Sequence, residues 1–362
     1  MVKRFNFRDL DWLILAVAAA LAIVGVVEIY STTAHSSLAG EARKQLDWVL
    51  VGIVVALAVS QLDYHQVVGH APLLYTIALG ALGAVLVLSH AVAKTHRWLT
   101  VGGQTLQVTE IEKLIIIVAA AFHLGRRTAK PVGWKDLGIL ALVGGVPAVL
   151  VALEPDLGTA LTYLAIIAAG ILLSGIRRRQ VLALALLGVL SLPVAWRLML
   201  PYQRDRLMSF VHPTHDSQGS SYQATQSKIA VGSGGLWGKG LGHGTQSQLG
   251  FVPVSHADFI FSAFAEERGF IGTLVVLTLY LILLLRLLDG AQWAPDRIGA
   301  FLVAGLASLL FFQVAVNIGM MIGWLPVTGI PLPLMSQGGS SVLATFGGLG
   351  LAMSVKRRRF VN

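Results

Sequence analysis

The chain has no cysteine, which excludes a disulfide framework, thiolate metal sites and a cysteine nucleophile. Charge is scarce as well: Asp, Glu, Lys and Arg make up only 12% of 362 residues, against 55% hydrophobic residues and a mean hydropathy of +0.74. Such a composition excludes an ordinary soluble domain and indicates a polytopic membrane protein. Three enzyme signatures are also missing. There is no HExxH, no GxSxG and no SxxK with KTG, so zinc proteolysis, that class of serine hydrolysis and penicillin-binding transpeptidation are not encoded in recognisable form. The net charge of +9 is carried by short Lys and Arg clusters between apolar runs, a pattern of membrane orientation rather than nucleic-acid binding.

What is present is a series of apolar runs. With about 20 residues per crossing, ten helices are expected, near 11–30, 46–62, 72–93, 108–124, 136–153, 158–175, 180–200, 259–286, 298–322 and 339–355. The first lacks the cleavage site of a signal peptide. On this ten-helix topology one side holds Lys3, Arg4, Arg8, Arg126, Arg127, Lys130, Lys135, Arg177 to Arg179, Arg286, Arg297 and Lys356 to Arg359. The short loops of the other side hold only Arg43, Lys44, Lys94 and Arg97. That imbalance places both termini in the cytoplasm. It also places one long loop, 201–257, outside. Within it "GSGGLWGKGLGHG" has Ser233 where a phosphate loop needs its first glycine and Gly240 where it needs Ser or Thr. A nucleotide-binding P-loop is therefore rejected, and the glycines are expected to make tight turns.

Ionisable groups at membrane depth are costly and are functional candidates by default. Glu110, Glu112 and Lys113 open the fourth helix, where Glu110 and Lys113 share a face and can equally be a self-neutralising pair. Glu154 and Asp156 lie in the turn "EPDLGTA", where Asp156 is placed to cap the following helix. The stretch "VSHADFIFSAFAEERG" sets His256 and Asp258 ahead of Glu266, Glu267 and Arg268. In one continuous helix the two glutamates lie about 12 to 14 Å below Asp258, so Asp258 stands alone at the outer boundary, either as a solvated carboxylate or as a catalytic one. Finally, "TGIPLPLMSQGGSS" combines two prolines with Ser336, Gln337, Ser340 and Ser341, irregular backbone that suits a cavity wall.

Four motifs in this order, with ten spans, resemble the SEDS family (shape, elongation, division and sporulation) over essentially the whole chain. They are "HRWLTVGGQTLQVTEIEKL", "EPDLGTA", the long segment from "SYQATQSK" to "FAEERGFIG", and "TGIPLPLMSQGGSS". The chain departs from the family where Val108 and Thr109 replace Pro-Ser and where Val254 replaces a frequent acidic residue. The resemblance implies an all-α polytopic protein of the bacterial cytoplasmic membrane that polymerises lipid II into glycan strands on the outer face. Short tails favour a RodA-like elongation role over an FtsW-like division role. Asp258 matches the family's essential aspartate and is assigned as general base. Arg97, Lys113, Arg204, Arg206, Lys228 and Lys239 are candidate cations for the leaving diphosphate, Lys113 and Arg97 foremost. Glu110, Ser336, Gln337 and Ser340 are expected to bind substrate, with Glu154, Asp156, His256, Glu266, Glu267 and Arg268 in support. No cofactor is required and no protein metal site is evident, with a divalent cation admitted as a helper. The implied partners are lipid II, a class B penicillin-binding protein and elongation-complex proteins. A lipid II flippase and a pure scaffold are the competing classes; transport predicts essential charges spread from face to face, and no inverted repeat is evident.

Overall fold

The computed structural model describes residues 10–34, 38–92, 99–101, 104–127, 131–154, 156–211, 219–252 and 254–358. Its helices are α1 (Trp12–Thr33), α2 (Glu41–Gln61), α3 (Tyr64–Gly69), α4 (Ala71–Val92), α5 (Val108–Gly125), α6 (Trp134–Leu153) and α7 (Leu157–Leu173). They continue with α8 (Arg178–Leu198), α9 (Pro201–Val211), α10 (Ser220–Ser233), α11 (Thr245–Gln248), α12 (Ile260–Gln292), α13 (Arg297–Met321) and α14 (Gly339–Arg357). One short hairpin, β1 (Leu99–Val101) with β2 (Gln104–Leu106), pairs Leu99 with Leu106 and Thr100 with Thr105. Each of the ten expected spans coincides with one long helix. Five of them, α1, α6, α8, α12 and α13, are long and apolar enough to cross a membrane on length and composition alone. By contrast α5 and α14 lie in the middle of the bundle, where charge and glycine are tolerated because protein surrounds them.

Lipid is as apolar as leucine, so helices in a membrane are held together by close packing rather than by water exclusion. The Gly-rich α14 shows this. A side chain on Gly350 would stand 2.7 Å from the Ala56 carbonyl oxygen, and one on Gly52 would stand 2.6 Å from the Phe346 ring. Gly-rich composition here marks an interior helix pressed against α2, not a weak span.

The basic clusters converge at one end of the bundle. Asp11, buried at the start of α1, takes an ion pair from Arg286 of α12 at 3.0 Å and another from Lys356 of α14. Arg127 pairs with Asp136 at 2.9 Å. Tyr64 and His65 of α3 meet Asp296, the N-cap of α13. The ends of the first and last helices therefore lie together, as an even number of crossings requires.

The opposite end differs from a plain loop. Residues 201–257 contain three helices, α9, α10 and α11, and the expected tight turns occur at Gly235, Gly238, Gly240 and Gly242, all at positive φ. This segment also corrects the expectation of an unbroken helix over 259–286. The helix starts at Ile260 and is interrupted at Gly269 (φ 65°, ψ −166°), a conformation open essentially only to glycine. A break at this depth orphans backbone groups that no water can satisfy. The glycine-rich loop fills it: the Lys239 and Gly240 amides donate to the Glu266 and Glu267 carbonyls, both at 3.0 Å, while Phe270 and Ile271 donate to Gly235 and Leu236 at 2.9 and 3.1 Å. A side chain at Gly238 would come within 2.2 Å of the Glu267 carbonyl oxygen, so the approach needs glycine on both sides.

Candidate functional site

Asp258 lies in the turn between Val254 and α12. The Val254 carbonyl accepts from the Ala257 and Phe259 amides, and Val254 itself sits at φ 50°, a strained conformation for a β-branched residue. The segment 328–341 and α13 then pin this turn from behind. Asn317 Nδ2 donates to the Asp258 carbonyl at 3.1 Å and to the Ile330 carbonyl at 2.8 Å. The Ser336 hydroxyl donates to the Ala257 carbonyl and accepts from the Leu332 amide, both at 2.8 Å. The Gln337 amide donates to the His256 carbonyl at 3.1 Å. Three successive carbonyls of the turn, His256 to Asp258, are thus held by buried or half-buried polar groups. Such a set immobilises a carboxylate before any substrate arrives.

The Asp258 side chain opens into a cavity of about 220 Å³ together with Asp156, Tyr202, Gln203, Arg206, Thr328 and Gly329. Gly329, at φ 75°, lies beside the Asp258 carboxylate; a side chain there would come to 3.5 Å from Oδ2. Asp156 caps α7, accepting from the Thr159 amide at 3.1 Å and the Thr159 hydroxyl at 3.0 Å. The capping role expected for it holds, and the same carboxylate also forms part of the cavity wall. Arg206 comes from α9 and reaches the Thr328 carbonyl at 3.5 Å. It is the cation that lines the cavity among the described residues. Arg97 lies outside the described residues.

The other expected cations are differently employed. Lys113 is buried and bound to Glu110 at 2.6 Å, and Lys239 is bound to Glu266 at 2.6 Å. Each answers a neighbouring carboxylate, because an unpaired charge in a low-dielectric interior is far more costly than a paired one. Glu112 and Glu154 are both buried, near enough for their charges to interact. Lys228 of α10 is exposed and, with Arg206, lines a second, smaller cleft beside the first.

Glu266 and Glu267 do not underlie Asp258. Glu266 accepts from Lys239, from the Gln246 and Ser247 amides at 2.9 and 3.0 Å, and from the Ser247 hydroxyl at 3.1 Å. Glu267 accepts from Ser31 of α1 at 2.6 Å and from Gln248 at 3.1 Å. Both clasp the glycine-rich loop to the broken helix, and Arg268 is exposed at the break. The expectation of a buried charged support beneath Asp258 is corrected accordingly: it assumed a continuous helix, whereas the Gly269 break lets the loop take up these side chains. Ser340 accepts from the Gln107 amide at 2.9 Å and fixes the entry to α5. Gln337 donates to Glu41 of α2.

His256 is half-buried; burial pushes its imidazole below the usual range, with Glu41 pulling weakly the other way. Among the described residues no group of three or more His, Asp or Glu side chains is arranged to hold a metal ion. Sequence reasoning missed Asn317. Its signal was available, since it is one of two carboxamides, with Gln313, buried in the apolar α13, and polar groups at that depth need a reason.

Comparison with known proteins places this geometry. A model of the FtsW, RodA and SpoVE family of cell cycle proteins matches residues 11–360. The chain is 37% identical to the peptidoglycan glycosyltransferase MrdB of Escherichia coli K12 over 351 residues, covering 97% of this chain and 94% of that protein. Among solved structures it is similar, with a TM-score of 0.82 and 31% identity, to a chain of a peptidoglycan synthase complex described as coordinating polymerization and crosslinking. That match covers 98% of this chain and 99% of the other. It is also similar to the rod shape determining protein RodA of Thermus thermophilus, at a TM-score of 0.73 and 30% identity, covering 98% and 99% of the two chains.

Proposed function

The chain belongs to the FtsW, RodA and SpoVE family and is a multi-pass membrane peptidoglycan glycosyltransferase; on that premise we propose that Asp258 is its general base, acting on lipid II at the extracytoplasmic face of the cytoplasmic membrane. The carrying observation is that Asp258 opens into a cavity of about 220 Å³ while its backbone is held from behind by Asn317. Glycan growth requires the acceptor sugar hydroxyl to lose its proton as its oxygen attacks the anomeric carbon of the donor. Asp258 takes that proton. The new bond joins acceptor oxygen to anomeric carbon; the bond from that carbon to the phosphate oxygen breaks, and its electron pair leaves with the lipid diphosphate. A carboxylate in a partly desolvated cavity needs no large pKa shift for this, because holding base and hydroxyl in register supplies much of the advantage.

Lipid II is the substrate that suits both the chemistry and the setting. Its sugars meet a polar cavity at the bundle end, and its prenyl chain meets apolar helix faces. The bias of basic residues toward the Asp11 end supports cytoplasmic termini and an outward cavity. Elongation and cell shape are the cellular role, in keeping with the RodA and MrdB relatives. We assign a class B penicillin-binding protein as partner, supplying the transpeptidation whose signature motifs this chain lacks, within an elongation complex. Side chains carry the chemistry, with no cofactor required.

The test is polymerisation of purified lipid II by the wild-type chain and by Asp258→Ala, with and without the partner, alongside lipid II flipping on the same preparations. Loss of polymer in a folded variant with flipping absent or unchanged is the expected result. Robust polymer from Asp258→Ala removes it from the mechanism, and flipping without polymerisation in the wild type replaces the enzyme with a transporter.

A further inference from the structure

The cavity that holds Asp258 has a neighbour. Arg206 lines both it and a second cleft formed by Ser209, Ser221, Thr225, Lys228 and the 323–327 segment. The two spaces therefore share one guanidinium as a wall, with Asp258 on one side and Lys228 on the other.

This cleft is chemically one-sided. Its lining contributes two cations and three hydroxyls but no carboxylate. No ion pair joins Arg206 or Lys228 to an acidic partner among the described residues, in contrast to Lys113 and Lys239. Arg206 spends only a long bond on the Thr328 carbonyl, at 3.5 Å. The backbone also makes room for Lys228. Gly323 stands at φ 76°, and a side chain there would lie 1.9 Å from Lys228 Cε, so any larger residue pushes the end of this lysine aside. Arg206 shares the first cavity with Asp156 and Asp258, but on the side of this cleft the two cations face no carboxylate, and an anion between them is electrostatically favoured. A guanidinium fork and a mobile ammonium together match phosphate oxygens.

We propose that Arg206 and Lys228 form the diphosphate subsite for the polyprenyl-linked donor sugar, with Arg206 positioned to stabilise the leaving charge. This rests on the glycosyltransferase reading above and names the donor side of that site. The enclosed part of the cleft is small, about 30 Å³, so it seats one phosphate between Lys228 and Arg206. The sugar-bearing phosphate lies on the Asp258 side of Arg206. When the acceptor oxygen attacks the anomeric carbon and the carbon–oxygen bond to phosphate breaks, the electron pair passes to a phosphate oxygen next to the guanidinium. The acceptor proton goes to Asp258, and the polyprenyl diphosphate departs.

Two readouts on the purified full chain with its partner test this: binding of undecaprenyl diphosphate, with undecaprenyl monophosphate as control, and steady-state polymerisation. Lys228→Ala and Arg206→Ala are each expected to weaken diphosphate binding about tenfold, the loss of one charge-assisted contact, and to change monophosphate binding much less. Arg206→Ala should also lower kcat about 100-fold, as removal of a donor to developing charge does, with partial rescue by Arg206→Lys. Gly323→Ala, which pushes the end of Lys228 aside, should weaken diphosphate binding in the same direction but less than Lys228→Ala, while every charge is retained. Thermal unfolding confirms that the variants fold. Diphosphate binding equal to wild type in folded Lys228→Ala and Arg206→Ala overturns the subsite. So does equal loss of monophosphate and diphosphate binding, which marks a site that reads a single phosphate rather than the diphosphate. Because binding is measured without turnover, a wild-type chain that binds diphosphate through these residues yet makes no polymer overturns the enzymatic reading and leaves the subsite standing.

Discussion

Asp258 and Glu266 are eight positions apart, and the protein treats them in opposite ways. Glu266 is fully buried and saturated, with Lys239, two backbone amides and the Ser247 hydroxyl on its carboxylate. Asp258 is held by its backbone, while its carboxylate borders an open cavity. A carboxylate whose acceptor sites are all occupied is committed to structure, because a proton or a substrate would have to displace existing partners. One fixed through its main chain and facing a cavity is placed where a substrate can reach it. The difference separates a clasp from a candidate base within a single helical entry.

The sharpest way to break this contrast is to neutralise each residue in turn. Asp258→Asn keeps the shape and removes the basicity, so polymerisation should fall by about 10² to 10⁴, the range general-base catalysis supplies, while the thermal midpoint stays near wild type. Glu266→Ala should do the reverse. It strands Lys239 and two buried amides, and breaking such a pair costs about 3–5 kcal/mol; the midpoint in detergent should drop by several degrees, with Glu266→Gln intermediate. If Glu266→Ala leaves stability untouched, the clasp is not structural. Asn317→Ala comes next. Losing a buried hydrogen bond to the Asp258 carbonyl costs about 1–3 kcal/mol, and the expected signature is a kcat reduced about tenfold at nearly constant KM. A change confined to KM would place Asn317 in substrate binding instead.

The smallest expected effect is that of pH on the turn. His256 is kept neutral by burial, so its folded pKa lies below the unfolded value of about 6.5. The unfolded chain then binds the extra proton first, and the contribution of this residue is fully present above that pH and lost as pH falls toward the folded value. Thermal midpoints followed from pH 7.5 down to 5 should decline more in wild type than in His256→Phe. Identical slopes would show that His256 does not report on the turn.

Much of this was legible before any coordinates. The ten spans and the gathering of basic residues at the Asp11 end survive, because each depends on properties summed along a short stretch. A run of some 20 apolar residues is a span wherever it occurs. The capping role of Asp156 was equally local, since the Thr159 amide it binds is three residues away. The ranking of the cations was not legible. Lys113 looked the better partner for a leaving diphosphate, yet it is buried against Glu110, whereas Arg206, a candidate ranked below it, reaches the Asp258 cavity. Nor did spacing foretell that Glu266 and Glu267 bind a loop, because that follows from the Gly269 break and from residues about 20 to 30 positions earlier.

Hydropathy and the distribution of basic residues are one-dimensional sums, and the sequence by itself determined both, and with them the spans and the end at which the basic residues gather. Which charge meets which was decided only by the tertiary structure. Hydrogen bonds and buried ion pairs act over about 3 Å, a distance at which α1, the glycine loop, α12 and α13 become neighbours only after folding has broken one helix and threaded a loop through the break.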